Sequence, residues 1–253
     1  MRLLFMLGTW FKARHRRRIQ RIPTPPSWED WIANSVRFYQ NWRQPTQTKL
    51  LDIVKILVAE KHWEGCNGLE INDEVKVVIS AHAATMLLGV ANYYFDGVKT
   101  ILVHPQSFRR EMSNGLTVDL LGLAGQAFFR GPILLSWRDI VHRSAGQNLV
   151  IHEFAHHLDY IDGYADGMPI FSRMKSQSRW KQVARKEYDA HVFAVSQGRN
   201  TFLDPYGALN PAEFFAVVSE TFFEMGSDLA RNHPEIFALL CELYNVDPRT
   251  WQD

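Results

Sequence analysis

The sequence predicts an α+β fold, mainly helical, with a small mixed sheet drawn from its middle third. Three observations predict it. Apolar residues recur at three- and four-residue spacing through both ends of the chain, as amphipathic helices require. Two short runs, Thr100–His104 and Pro132–Trp137, are rich in β-branched residues and leucine and read as buried strands. A chain of 253 residues, 46% hydrophobic and 22% charged, can bury a full core. That composition excludes disorder, collagen and coiled coil for the whole, and the size favours one body over two average domains.

Taken in order, residues 1–26 form a basic arm and 27–253 a single domain. Pro23, Pro25 and Pro26 mark the break. Seven basic residues, from Arg2 to Arg21, precede the first acid, Glu29; a formal charge of +1 overall therefore leaves −6 for the rest. Such a run more often means a solvated tail than a function. The alternative is contact with an anionic membrane surface, helped by Leu3, Leu4, Phe5, Leu7, Trp10 and Phe11; nucleic acid is not expected as a partner. Ser27 is expected to cap a helix carrying Trp28, Trp31, Ile32, Val36 and Tyr39, followed by a second helix over Thr46–His62. Leu69–Ile71 suggests a strand leading into a helix over 74–88. The stretch 106–130, with Gly115, Gly122 and Gly125, reads as a hairpin or an irregular loop. From Asn148 onward the expectation is helical: 148–161, 175–196, 211–225 and 234–244. Two distant cysteines, Cys66 and Cys241, and the lack of a bilayer-long apolar run lead us to expect a cytoplasmic protein.

The chemistry is concentrated in Val150–Asp159, which contains His-Glu-x-x-His on an expected helix. Four residues turn a helix through about 400°, so His152 and His156 project from one face about a turn apart and can share one metal ion. Imidazole nitrogen suits zinc. Glu153 lies beside that face, where it can take a proton from a water and pass it to a leaving amine. Surrounded by Ile151, Phe154, Ala155 and Leu158, three polar side chains would lack partners without a metal. His157 points away and reads as an ordinary histidine.

A third ligand is required, and the sequence offers Glu213 and Glu220 on one face of the helix starting at Pro211. With Asn210 as N-cap, Glu213 is also placed to complete a capping box, and residue chemistry alone leaves the two roles level. Asp159 is similarly balanced between orienting a ligand histidine and fixing the end of its helix. Tyr206 could donate to an oxyanion or pack as an aromatic.

These residues carry a resemblance to a known family. His152-Glu153-Phe154-Ala155-His156 with Leu158-Asp159, and Tyr206 followed by Pro211-Ala212-Glu213-Phe214-Phe215-Ala216-Val217 and Ser219-Glu220, resemble the Mlc titration factor A family of bacterial, glucose-regulated zinc metallopeptidases of gluzincin type. The likeness continues upstream through Glu64-Gly65-Cys66, Gly68-Leu69-Glu70-Ile71, Thr100-Ile101-Leu102-Val103 and Gly131-Pro132-Ile133-Leu134-Leu135-Ser136-Trp137, and covers about 27–245. It implies a zincin-like fold similar to the catalytic domain of anthrax lethal factor. It further implies one Zn2+ held by His152, His156 and Glu213, with Glu153 catalytic and Tyr206 in the active site. The function expected is hydrolysis of peptide substrates, aminopeptidase in type. The alternative the resemblance raises is a regulatory protein that binds and sequesters a transcriptional repressor of the Mlc type. A peptide substrate is further expected to add as a strand to the edge of Pro132–Trp137.

Overall fold

The computed structural model describes residues 2–106, 109–111, 117–119 and 131–251, with side chains over 10–106 and 131–251. Along the chain it places α1 (Arg2–Gln20), α2 (Pro26–Ser35), α3 (Gln44–Glu60), β1 (His62–Gly65), α4 (Asp73–Thr85), β2 (Thr100–His104), β3 (Arg109–Glu111), β4 (Thr117–Asp119) and β5 (Ile133–Ser136). Then follow α5 (Trp137–Val141), α6 (Leu149–Asp159), α7 (Met174–Ser196), α8 (Pro211–Glu224), α9 (Gly226–Asn232) and α10 (Pro234–Tyr244). The mainly helical α+β class is the one the periodicity indicates.

The two orientations of the expected mixed sheet fall in separate sheets. Strands β1, β2 and β5 pair in that order, parallel throughout, with Trp63 opposite Ile101 and Ile101 opposite Ile133. Within 106–130, strands β3 and β4 form an antiparallel pair; the residues between and beyond them lie outside the described residues. Alternation on β2 and β5 buries Ile101, Val103, Ile133 and Leu135.

The strand expected at Leu69–Ile71 is absent, and β1 stands earlier, at His62–Gly65. Backbone pairing decides the matter: His62 N donates to Lys99 O at 2.9 Å and Cys66 N to Val103 O at 2.8 Å. The His-Trp-Glu-Gly sequence of β1 has no apolar run to announce it. Gly65 is required there because a Cβ would lie 1.8 Å from the Leu69 carbonyl oxygen. Helix α2 likewise starts one residue before the expected cap: Pro26 occupies its first turn, Pro25 is the N-cap, and Ser27 caps nothing. A proline at N1 has no amide needing a partner.

The basic segment is helical and its second half is docked, not a loose tail. Arg16 is buried and donates to Glu60 through Nε (2.8 Å) and Nη2 (2.6 Å), reaches Asp96 as well, and lies 4.3 Å from the Tyr94 ring centre. Lys55 Nζ donates to Gln20 O at 2.9 Å, closing the α1–α3 contact.

The core is continuous from Ile32 on α2 to Trp251, with α4 packed against α2, α3 and α6. Helix α8 is buried from Ala212 through Glu224. Helix α6 lies against it more extensively than any other two elements touch. That contact brings together residues some sixty positions apart.

Candidate metal centre

Helix α6 starts where Asn148 caps it, its side chain accepting from Ile151 N at 3.2 Å. His152 and His156 are buried on the face toward α8. Helix α8 starts with Pro211 and the cap Asn210, whose side chain accepts from Glu213 N at 2.9 Å. The Glu213 amide is therefore capped, but its carboxylate does not turn back to complete a box. Glu213 Oε2 lies 2.9 Å from His152 Nε2 and 3.2 Å from His156 Nε2, and the two Nε2 atoms are 3.1 Å apart.

Three donor atoms thus stand at the corners of a nearly equilateral triangle. Donors at about 2.0–2.1 Å from a tetrahedral metal would be separated by roughly 3.3 Å, so the set fits zinc in kind and in spacing. Among the described residues this is the one cluster of three such side chains able to hold an ion.

The charge balance favours a cation at this point. Burial alone would raise the Glu213 carboxyl, but the hydrogen bonds from His152 and His156 outweigh it and hold it at about 2. Burial would lower His152, yet the Glu220 charge and the hydrogen bonds to Glu213 and Glu220 carry it well above its ordinary value. Carboxylates that favour a proton on a ring nitrogen favour a metal ion in its place. Glu153 is half-buried; loss of solvent raises its carboxyl against the pull of His152 and His156.

Glu220, the other acid on the same stripe of α8, holds the far side of His152. Its Oε1 lies 2.7 Å from His152 Nδ1, and its Oε2 accepts from Asn148 N at 2.5 Å. This orients the ring and fixes its Nε2 toward Glu213. Asp159 does not serve that purpose. It accepts from Gly167 N (2.8 Å) and Met168 N (2.7 Å), pinning the loop after α6; burial nonetheless raises its carboxyl to about 6.

Behind Glu220 a buried network continues. Asn148 Nδ2 donates to Glu224 Oε1 at 2.6 Å and lies 3.0 Å from His82 Nδ1, while Arg143 Nη1 stands 2.8 Å from His82 Nε2. Burial and the Arg143 charge push His82 well below its ordinary value. The sequence reading missed Asn148, Glu224, His82 and Arg143. Glu224 had a signal: with Glu213 and Glu220 it makes a 0, 7, 11 spacing, one face of a helix otherwise apolar and buried.

The centre opens into a pocket of about 390 Å³ lined by Glu153, His156, Tyr206, Asp139, Arg143 and Asp204, among others. Tyr206 lies in the 3-10 turn Pro205–Ala208, its ring centre 5.9 Å from that of His152. Asp204 fixes that turn by accepting from Tyr206 N (2.9 Å) and Gln147 Nε2 (2.8 Å). His152, Glu153, His156 and Tyr206, singled out in the sequence, line this pocket, and Glu213 lies against the two histidines. His157 is turned away, against Phe95 and Gly97.

Known proteins share this chain across most of its length. An uncharacterized protein of Synechocystis sp. is 34% identical over 249 residues, covering 94% of this chain and 90% of the relative. Mlc titration factor A of Salmonella agona is 28% identical over 235 residues, 87% of this chain and 86% of its own. The Yersinia pestis protein of the same name is 28% identical over 215 residues, with 81% and 79% covered. The profile of the glucose-regulated metallo-peptidase M90 family matches residues 10–245. With that match spanning both helices that build the His152–His156–Glu213 cluster, the chain belongs to the glucose-regulated metallo-peptidase M90 family.

Proposed function

We propose that the protein is a zinc-dependent peptidase, aminopeptidase in type, with residues 27–253 as the catalytic domain. His152, His156 and Glu213 would hold one Zn2+. The observation that carries this reading is the convergence of their three donor atoms to within 3.2 Å of one another. When bound, zinc supplies positive charge that polarises a peptide carbonyl and lowers the pKa of water.

The protein's own residues do the rest. Glu153 accepts a proton from water as the water oxygen attacks the carbonyl carbon, then delivers it to the amide nitrogen as the C–N bond breaks. Its raised proton affinity suits that exchange. Tyr206 donates a hydrogen bond to the oxygen that gains charge. Glu220 keeps His152 oriented throughout. Strand β5, at the end of the described sheet order, offers its outer edge to an extended peptide. Both cysteines are free, and no described helix is long and apolar enough to cross a membrane; we assign the activity to the cytoplasm.

The test is a pair of substitutions. Glu153→Gln is expected to retain about one zinc per chain and lose peptide cleavage by at least ~10²-fold. Glu213→Ala is expected to lose most of the zinc by elemental analysis. Cleavage that survives Glu153→Gln overturns the mechanism, and full zinc retention in Glu213→Ala returns that residue to a capping role. Blocking a substrate's amino group by acetylation should abolish cleavage if the aminopeptidase assignment holds.

The name of the relatives favours a second reading, a regulatory protein that binds a transcriptional repressor of the Mlc type. Tight repressor binding by a wild-type protein that cleaves no peptide would establish it.

A further inference from the structure

Helix α1 spends one side on the body. Arg16 and Ile19 are buried there, and Lys12 reaches Asp96 at 2.5 Å. The 3.6-residue period puts positions 10, 14, 17 and 18 on the opposite side. Along the chain that side changes character, from Trp10 with Phe11 at its border to Arg14, Arg17 and Arg18. Trp10 and Phe11 are 50% and 61% exposed, and all three arginines are exposed.

We propose that this outer side of α1 is an interfacial anchor that seats the protein on an anionic lipid bilayer. Trp10 and Phe11 sit at the acyl boundary, and Arg14, Arg17 and Arg18 meet lipid phosphates. The helix lies in the surface plane, its other side held along the body by Arg16 and Ile19.

Charge and apolarity together select this occupant. Nucleic acid would match the arginines but not the exposed Trp10 and Phe11 beside them. A second copy is disfavoured, because two such arms, each with seven basic residues and no acid before Glu29, repel on contact. The Arg16 contacts with Glu60, Asp96 and Tyr94 hold the helix ready-made, so little ordering is needed on binding.

Flotation of the full-length protein with vesicles tests the proposal. The protein should float with phosphatidylcholine vesicles containing phosphatidylglycerol, not with phosphatidylcholine alone, and the binding should weaken with added salt. Trp10→Ser with Phe11→Ser should lower the partition coefficient by about tenfold. Arg14→Glu, Arg17→Glu and Arg18→Glu together should lower it on the order of 10²-fold, with the circular dichroism melt unchanged. Failure to float with anionic vesicles overturns the proposal. So does equal binding to neutral ones, or indifference to both sets of changes. Salt-sensitive duplex binding that ignores the Trp10 and Phe11 changes, or a dimer that those changes dissolve, would overturn it in favour of nucleic acid or self-association.

Discussion

Glu220 touches no reacting atom, yet both its oxygens are engaged, one by the His152 ring and the other by the Asn148 amide. Replacing it with alanine frees His152 to rotate and leaves two buried N–H groups without acceptors. Glu220→Ala should weaken zinc binding by about 10–100-fold, measured by competition with a chromogenic chelator. An unchanged affinity would mean that core packing alone orients the ring. The pair His152 and His156 was legible in the sequence because a four-residue repeat on a helix has one geometric meaning. Glu213 was ambiguous for a physical reason: the third position of a capped helix and a ligand position look alike in sequence, and here the amide takes one role and the carboxylate faces the other. Glu220 and Asp159 could not be told apart until the direction of each side chain was known.

At the level of elements, the ends of α6 and α8 are tied by one loop. Gly167 has φ +75°, a Cβ there would lie 2.3 Å from Pro211 O, its amide donates to Asp159 and its carbonyl accepts from Trp180 Nε1 at 2.8 Å. Gly167→Ala is strained both in backbone and in space. We expect it to cost about 2 kcal/mol or more, read as a lower urea midpoint at constant slope. Arg16→Ala should cost about 1–2 kcal/mol and expose α1 to limited proteolysis, since it removes the paired donor from Glu60 and leaves Lys12 as the α1 partner of Asp96. The helices α7, α8 and α10 were legible to within a residue or so from their periodicity, reinforced in α8 and α10 by a proline start. Strand β1 was not, because its place is earned by hydrogen bonds to β2 and not by its side chains. The basic arm hid its docking in the same way. A run of arginines reads as solvated charge, and only the folded body supplies Glu60, Asp96 and Tyr94 to receive one of them.

For the molecule as a whole, buried His82 sets a pH dependence. Burial and Arg143 keep it neutral in the fold, whereas the unfolded chain takes up a proton near the ordinary histidine value of 6.5. Below that pH the unfolded state binds more protons, so the stability this group contributes is complete above 6.5 and is lost as the pH falls. The slope has a ceiling of about 1.4 kcal/mol per pH unit. Chemical denaturation at pH 7 and pH 5 should show the decline, and His82→Gln should reduce it, leaving the share of the half-buried His157 ring, which is pushed down to about 4. An equal slope in the variant would assign the acid sensitivity elsewhere.

Helix α8 has no solvent side: the turn that carries Glu213 is walled by Phe214, Phe215 and Val218. The candidate ligand Glu213 and a large share of the core therefore belong to one piece of chain. A lineage in which these aromatics drifted toward smaller side chains would be expected to lose the convergence of Glu213 with His152 and His156 while still melting cooperatively. Any selection on the geometry of that cluster is thereby selection on the tightness of the interior.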